Sequence, residues 1–256
     1  MHHAPSRFAA IMSDIDGCLA PESTAPFNAA ALARLAEHNR LAQTKPIGES
    51  DLPVITLCSG RPQPFAEAMC RLLGNRSLPC IAENGVWMYD PRTNHYDMDP
   101  AITRDDLDAV ASAQRWVRKD LEPQGVSMQP GKAASVSLYH PDTKRLHALE
   151  PMIRERFARE RWPFRVSLTW FYINCDLNHI SKASAIDRFM KQTGLTRDHL
   201  AGIGDTMGDV AIADRVAFFA CPDNAMTDLK PRAHYVSPHE EAEGVLDIVA
   251  RVACIT

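Results

Sequence analysis

Four aspartates stand where carboxylates can act together: Asp14 and Asp16 in Ser13-Asp14-Ile15-Asp16-Gly17, and Asp205 and Asp209 in Gly204-Asp205-Thr206-Met207-Gly208-Asp209. Each group follows a short apolar run, Phe8 to Ser13 in the first case and Leu200 to Ile203 in the second. A third run, Pro53 to Cys58, leads into Ser59-Gly60-Arg61. An apolar run closed by turn residues reads as a buried strand. In an open parallel sheet, ligands sit beyond the carboxyl ends of the strands, so these loops are expected to converge. Carboxylates crowded at one edge repel one another unless a cation lies among them, and an all-oxygen donor set suits Mg²⁺. A magnesium site is therefore expected from Asp14, Asp16, Asp205 and Asp209. The spacing of Asp14 and Asp16, with Gly17 behind, lets one carboxylate attack while the other reaches the leaving group from the same loop. Taken singly, Asp-Gly and Ser-Gly are ordinary turn residues. Their joint order along the chain is what favours chemistry.

The elements that must hold these loops follow a simple alternation. A helical pattern carrying Leu32, Leu35 and Ala36 comes after the first loop, and one carrying Phe65, Ala68, Met69 and Leu72 after the second. Pro79 to Ala82 reads as another short strand. Toward the C-terminus, Leu200 to Ile203 and Val216 to Ala220 flank the pattern Val210, Ile212, Ala213, and Tyr235-Val236 reads as a last strand. Strands alternating with helical patterns imply a parallel sheet with crossover helices. Between Trp87 and Asp176 the texture changes. One helical pattern starts at Thr103, with Asp106 in capping-box position, and carries Leu107, Val110, Val117 and Leu121; a second carries Leu146, Leu149, Ile153 and Phe157. Alternating stretches follow each, Ala134 to His140 and Phe164 to Asp176, the latter long enough for two strands. The expected architecture is α/β, a Rossmann-like three-layer core with a parallel sheet (residues 1–86 and 177–256), interrupted by an inserted α+β cap (residues 87–176).

Composition excludes several partners. The 256 residues carry 28 Lys+Arg against 32 Asp+Glu, a formal charge of -4, and no basic run, which argues against nucleic acid or an anionic membrane surface. A composition 45% hydrophobic and 23% charged fits a soluble globular chain. No apolar run approaches the ~18 residues of a membrane span, and Met1 to Arg7 lacks the apolar stretch of a secretory signal, so the expected location is the cytoplasm. Seven scattered cysteines without a C-x-x-C pair read as reduced thiols rather than disulfides or zinc ligands. Cys70 to Arg76 followed by Ser77 matches the spacing of cysteine phosphatases. However, Cys70 falls on a helical pattern with no glycine-rich cradle after a strand. No H-E-x-x-H and no G-x-G-x-x-G after the first strand are present.

The ordered pieces resemble the haloacid dehalogenase superfamily of phosphatases, in particular its sugar-phosphatase-like branch with a large cap between the second and third motifs. Asp14-Ile15-Asp16-Gly17 is similar to the first motif, Ser59-Gly60-Arg61 to the second, Lys182 in Ile180-Ser181-Lys182-Ala183 to the third, and Gly204-Asp205 with Asp209 to the fourth. Glu83-Asn84-Gly85 resembles the turn leading into the cap, and Asn224-Ala225, Leu229-Lys230 and Ala233 resemble the family's C-terminal pattern. Three positions depart from it: Cys18 replaces the usual Thr, Ala183 a frequent Gly, and Gly208 a frequent Asn.

The resemblance implies a Mg²⁺-dependent phosphatase acting on a small phosphorylated metabolite, with a sugar or glycosyl phosphate expected. Asp14 would be the nucleophile that forms an aspartyl-phosphate, and Asp16 the general acid and then base, which requires a raised pKa. The metal would lie on the Asp14 and Asp205 carboxylates and, by resemblance, the Asp16 backbone carbonyl, with Asp209 orienting a metal-bound water or Lys182. Ser59, Gly60, Arg61, Asn84 and Lys182 are the expected phosphate and substrate contacts. In the cap, Lys132, Tyr139, His140, Trp170 and Tyr172 are candidates for recognising the rest of the substrate, or for packing the cap's own sheet. A phosphosugar mutase of the same design and a non-catalytic binding module stay open as alternatives. A haloalkanoate dehalogenase fits less well, having no use for Asp16 or magnesium.

Overall fold

The computed structural model describes residues 7–22, 24–169 and 171–255. In chain order the first elements are β1 (Ala10–Ser13), α1 (Ala29–Ala42), β2 (Val54–Leu57), α2 (Gln63–Leu72) and β3 (Cys80–Ala82), followed by a hairpin of β4 (Trp87–Asp90) and β5 (His95–Met98). Next come α3 (Arg104–Trp116), β6 (Ser127–Met128), β7 (Ser135–Tyr139), α4 (Thr143–His147), α5 (Glu150–Glu160), β8 (Phe164–Leu168) and β9 (Tyr172–Leu177). The chain then runs through α6 (Lys182–Thr193), β10 (Leu200–Ile203), α7 (Val210–Ala213), β11 (Phe218–Cys221), β12 (Tyr235–Val236) and α8 (Glu241–Ala253).

Five strands form a parallel sheet in the order β12-β11-β10-β1-β2. A single parallel bridge from Cys58 to Ile81 sets β3 beside β2. Side chains alternate across this sheet, as the period of two requires. Ile11, Ile55, Leu57, Ala201, Ile203 and Ala220 pack with α1, α2 and α8 in one buried cluster. Ala10, Met12, Val54, Leu200, Phe219 and Cys221 pack with α6 and α7 in another. The result is the expected three-layer α/β core. Helix α8, which the sequence reading did not single out, closes the first face with Val245, Ile248, Val249 and Val252.

The change of texture at Trp87 does not coincide with a change of sheet. β4 pairs antiparallel with β3, Ile81 opposite Met88, and β5 pairs with β4. Met88 and Tyr89 are buried among core residues, so the hairpin packs with the parallel-sheet side. Residues after Met98 build a separate antiparallel sheet in the order β6-β7-β9-β8. One buried cluster gathers Val110 and Trp116 of α3, Ile153 and Phe157 of α5, and the alternate residues Val136, Leu138, Val166, Ile173 and Cys175 of the strands. The helices thus cover one face of this sheet. Its other face carries Ser137, Ser167, Tyr172, Asn174 and Asp176. The helical pattern at Leu146 to Phe157 is two helices. Pro151 occupies the first turn of α5, where a missing N–H costs nothing, and the chain breaks just before it. The capping box at Thr103 and Asp106 is formed, with Asp106 N donating to Thr103 Oγ1 at 3.2 Å and Thr103 N donating to Asp106 Oδ2 at 2.8 Å.

Candidate active site

The sheet register brings the motif loops together. Ser13 is paired with Leu57 on one side and with Ile203 on the other, so β1, β2 and β10 end level and their loops leave at one edge. Asp14 extends β1 by one residue, its amide donating to the Ile203 carbonyl at 3.0 Å. A tight turn follows. The Ile15 carbonyl accepts from the amides of Cys18, Leu19 and Ala20, and Gly17 has φ +69°. A Cβ at Gly17 would lie 2.0 Å from Asp205 Oδ2, so only glycine lets the two loops approach.

Asp14, Asp205 and Asp209, all buried, each offer a carboxylate oxygen within 4.8 Å of the others. Lys182, the first residue of α6, lies beside them, its Nζ donating to Asp14 Oδ2 at 2.8 Å and Asp209 Oδ1 at 2.6 Å. Asp14 Oδ1 accepts from the Ile15 amide at 2.7 Å. The other oxygen of Asp209 accepts from the amides of Asp205 and Thr206 and from Thr206 Oγ1, at 3.1, 3.1 and 3.2 Å. Asp209 is therefore the member that holds Lys182 and shapes the loop. Asp205 is different. Its carboxylate, 2% exposed, has one hydrogen-bond partner among the described residues, the Cys18 thiol at 3.9 Å.

Electrostatics follow from this geometry. Burial first, then the Asp209 and Asp14 carboxylates, push Asp205 up to about 9. Asp14 is pushed up to about 7 by burial, with Lys182 opposing and Asp209 adding to the rise. Burial works against the Lys182 ammonium, but Asp14 and Asp209 outweigh it and hold its pKa well above the usual lysine value. With all three carboxylates ionised against one ammonium, this buried, all-oxygen site would carry two negative charges, a state that burial disfavours and a bound cation would stabilise. A divalent hard cation matches both the charge and the donors. The residues present fit Mg²⁺.

Asp16 does not join this cluster. Its carboxylate turns to Arg61, whose Nε donates to both oxygens at 2.9 and 2.7 Å and whose guanidinium lies 4.8 Å from the Phe65 ring centre. Asp16, Gly60, Arg61, Asn84 and Lys182 line a cavity of about 350 Å³ above the aspartates. Ser59 does not line it. That side chain is fully buried beneath the loop and its Oγ accepts from the Arg61 amide at 3.3 Å. Among the described residues the Gly60 amide has no protein acceptor, so it is a donor open to an anion. Asn84, with φ 53°, donates to Asp176 Oδ2 at 3.1 Å. Asn224 braces the first loop, donating to the Gly17 carbonyl at 2.8 Å, and the Met226 amide donates to the Asp205 carbonyl at 2.7 Å.

Of the substrate-contact candidates between residues 99 and 177, Tyr172 lines the cavity. Tyr139 sits beside it, ring centres 5.9 Å apart, in a neighbouring apolar hollow. His140 is buried elsewhere, its Nδ1 accepting from the Asp142 amide at 2.9 Å. Trp170 lies outside the described residues. Lys132 is not a lining residue; its ammonium donates to the Gly60 carbonyl. The polar lining residues that sequence reasoning missed are Glu22, Gln129, Ser167, Thr169, Asn174 and Thr206, and Leu168, Met207 and Met226 add apolar surface. Thr206-x-x-Asp209 carries a readable signal, the Thr-x-x-Asp capping pattern. Glu22, pushed up to about 7 by burial and then by Asp16 and Asp14, carries none.

The level parallel strand ends and the acidic cluster define an α/β core with an acidic site at one sheet edge. The chain belongs to the haloacid dehalogenase-like hydrolase family, whose model matches residues 99–249. Over 96 residues it is 24% identical to phosphoglycolate phosphatase 1 of Saccharolobus solfataricus, a match spanning 38% of this chain and 42% of that relative's length. The fold is similar to that of a haloacid dehalogenase-like hydrolase from Bacteroides thetaiotaomicron, with TM-score 0.69 and 17% identity over 96% of this chain and 99% of the other. It is also similar to sucrose-phosphatase from Synechocystis, determined with sucrose and phosphate, with TM-score 0.66 and 15% identity over 96% and 98% of the two chains.

Proposed function

We propose that this protein is a Mg²⁺-dependent phosphatase that hydrolyses a sugar or glycosyl phosphate through an aspartyl-phosphate on Asp14. The observation that carries the reading is the grouping of Asp14, Lys182, Asp205 and Asp209 at the floor of the cavity. Asp14, Asp205 and the Asp16 backbone would hold the ion, which when bound neutralises charge on the phosphoryl group. Asp14 is fixed for in-line attack by the Ile15 amide on one oxygen and Lys182 on the other. Its attack forms the Asp14 O–P bond and breaks the P–O bond to the leaving group. Asp16, on the same loop, gives that oxygen its proton; water then attacks phosphorus, forming a new O–P bond and breaking the Asp14 O–P bond to release phosphate, while Asp16 takes the water's proton. Phosphoryl oxygens compete with Asp16 for the Arg61 guanidinium, which frees Asp16 for the leaving oxygen. The Gly60 amide and Lys182 serve the remaining oxygens, such donors contributing roughly 3 to 4 kcal/mol each in the transition state.

Residues 99–176 act as the cap. The wall they give the cavity is neutral and rich in hydrogen-bonding groups: Gln129, Ser167, Thr169, Tyr172 and Asn174. The cations lining the cavity, Arg61 and Lys182, are both already paired with carboxylates. This supports a polyhydroxylated leaving group over a carboxylated one. The free cysteines, one of them the exposed Cys254, support a reducing, cytoplasmic setting. No helix among the described residues is long and apolar enough to cross a membrane.

The test is phosphate release from a panel of hexose, polyol and glycosyl phosphates and 2-phosphoglycolate, with Mg²⁺ and after chelation. Turnover should require the metal and favour a sugar ester by about tenfold or more in kcat/KM. Best turnover of 2-phosphoglycolate would overturn the substrate class, and no release from any ester would overturn the phosphatase.

A further inference from the structure

The loop Ser59-Gly60-Arg61 is held by its carbonyls. Ser59 O accepts from the Asn84 amide at 3.0 Å and Arg61 O from the Glu83 amide at 2.8 Å. Both donors belong to the tight turn after β3, on the core side. The third carbonyl, that of Gly60, accepts from the ammonium of Lys132, which comes from the segment between β6 and β7. That segment is itself seated on the turn. Glu83 is fully buried, and its carboxylate accepts from the Ala133 amide at 2.9 and 3.0 Å, the Ala134 amide at 2.9 Å and the Ser135 hydroxyl at 2.8 Å. A Cβ at Gly131 would lie 3.3 Å from Pro62, at the start of α2, so the segment also touches the far side of the loop.

A lysine that recognised substrate would point into the cavity. Lys132 points at the carbonyl of a peptide whose own N–H, on Arg61, is directed at Ser59 Oγ at 3.3 Å. Fixing that carbonyl fixes the rotation of the peptide. Arg61, which lines the cavity, leaves the loop from that same peptide, whereas the Gly60 amide shares its peptide with the Ser59 carbonyl held by Asn84. Glycine at position 60 supplies no side chain to do this from within the loop, and the core turn reaches only the carbonyls on either side.

We infer that Lys132 is a positioning residue: it makes the phosphate-receiving geometry of Ser59-Gly60-Arg61 conditional on the seating of the 129–135 segment on Glu83, so that cap and phosphoryl site are set together. The catalytic consequence rests on the phosphatase reading, whereas the structural coupling does not. A charged hydrogen bond oriented in this way matters because small misplacements of phosphoryl donors carry large rate penalties.

Two readouts on Lys132→Met and Lys132→Arg, compared with the parent protein in Mg²⁺, test it. Hydrogen exchange should show the Arg61 amide exchanging about tenfold faster in Lys132→Met, with β2 unchanged and Lys132→Arg close to parent. With p-nitrophenyl phosphate, Lys132→Met should lose about a hundredfold in kcat/KM, with KM for the ester and the inhibition constant for inorganic phosphate both raised, and Lys132→Arg should recover most of the loss. Unchanged exchange at Arg61 in Lys132→Met overturns the coupling, whatever the activity. Faster exchange with kinetics and phosphate inhibition at parent level overturns the catalytic role. An inactive parent removes the phosphatase reading and leaves the exchange result to decide the coupling.

Discussion

Asp205 shows most clearly what the site lacks in protein groups and what it is built to hold. Asp14 has Lys182 and a backbone amide, and Asp209 has Lys182, two amides and a hydroxyl, whereas among the described residues the Asp205 carboxylate meets only the Cys18 thiol. A hydroxyl there, as in the Thr the family usually carries, would donate a stronger bond than a thiol. A buried carboxylate with so little support is costly unless a cation completes it. Its position depends on Gly17, since any β-carbon there would run into Asp205 Oδ2. Gly17→Ala should therefore weaken Mg²⁺ binding by about 10- to 100-fold while the protein stays folded. Titration calorimetry with Mg²⁺ checks this, and parent-like affinity would show that the glycine is not what lets Asp205 approach. The grouping of Asp14, Asp205 and Asp209 is legible because Asp14 and Asp205 stand just after apolar runs and Asp209 lies four residues past Asp205 in the same loop. Asp16 is legible too, but its partner is not, since nothing local announces that Arg61, 45 residues on, takes its carboxylate.

At the scale of elements, side-chain amides that look like surface residues hold strands and helices together. Asn39 on α1 is fully buried. Its amide donates to the carbonyls of Ile55 at 3.1 Å and Leu73 at 2.9 Å, and its carbonyl accepts from the Ile55 amide at 2.7 Å. One residue thus ties α1 to β2 and to the end of α2. Asn39→Ala leaves three buried backbone groups without partners and should cost about 3 kcal/mol or more. Denaturant unfolding measures it, and a loss under ~1 kcal/mol would mean water replaces the amide. In sequence, Asn39 is an unremarkable polar position in a helical pattern. Strand identity, by contrast, is legible at β1, β2, β9 and β10 because burial and alternation are local properties. The β4-β5 hairpin is the instructive difference. Its residues read as the beginning of the insert, yet β4 pairs back onto β3, because strand partnership is decided by register and packing across the fold rather than by composition. The split of the Leu146 to Phe157 pattern at Pro151 was there to be read, since proline sits readily in a first helical turn and poorly inside one.

At the scale of the whole molecule, the acidic floor couples stability to pH and to metal. An ordinary aspartate titrates near 3.8, whereas in the fold Asp14 is pushed to about 7 and Asp205 to about 9. Between those values the folded, metal-free protein keeps protons that the unfolded chain has lost. These two groups therefore make stability fall as pH rises through that window. On the proposed reading Mg²⁺ would displace the same protons, so its stabilisation should grow with pH and reach about 2.7 kcal/mol at a hundred times its Kd. Thermal unfolding with and without Mg²⁺ at about pH 6 and about pH 8.5 tests the sign. A metal effect that shrinks toward high pH would contradict it. The molecule's larger division is a parallel core and an antiparallel unit whose open face supplies Tyr172 and Asn174 to the cavity; on the proposed reading the core would carry the chemistry and the other unit the choice of substrate. The central claim concerns the first. Acid-quenched turnover of a phosphate ester with Mg²⁺, followed by digestion and mass spectrometry, should find one phosphoryl group on the peptide containing Asp14, and none in Asp14→Asn, which should also fail to release phosphate. Phosphate release at the parent rate by Asp14→Asn, or a phosphoryl group trapped on any other residue, would contradict the account.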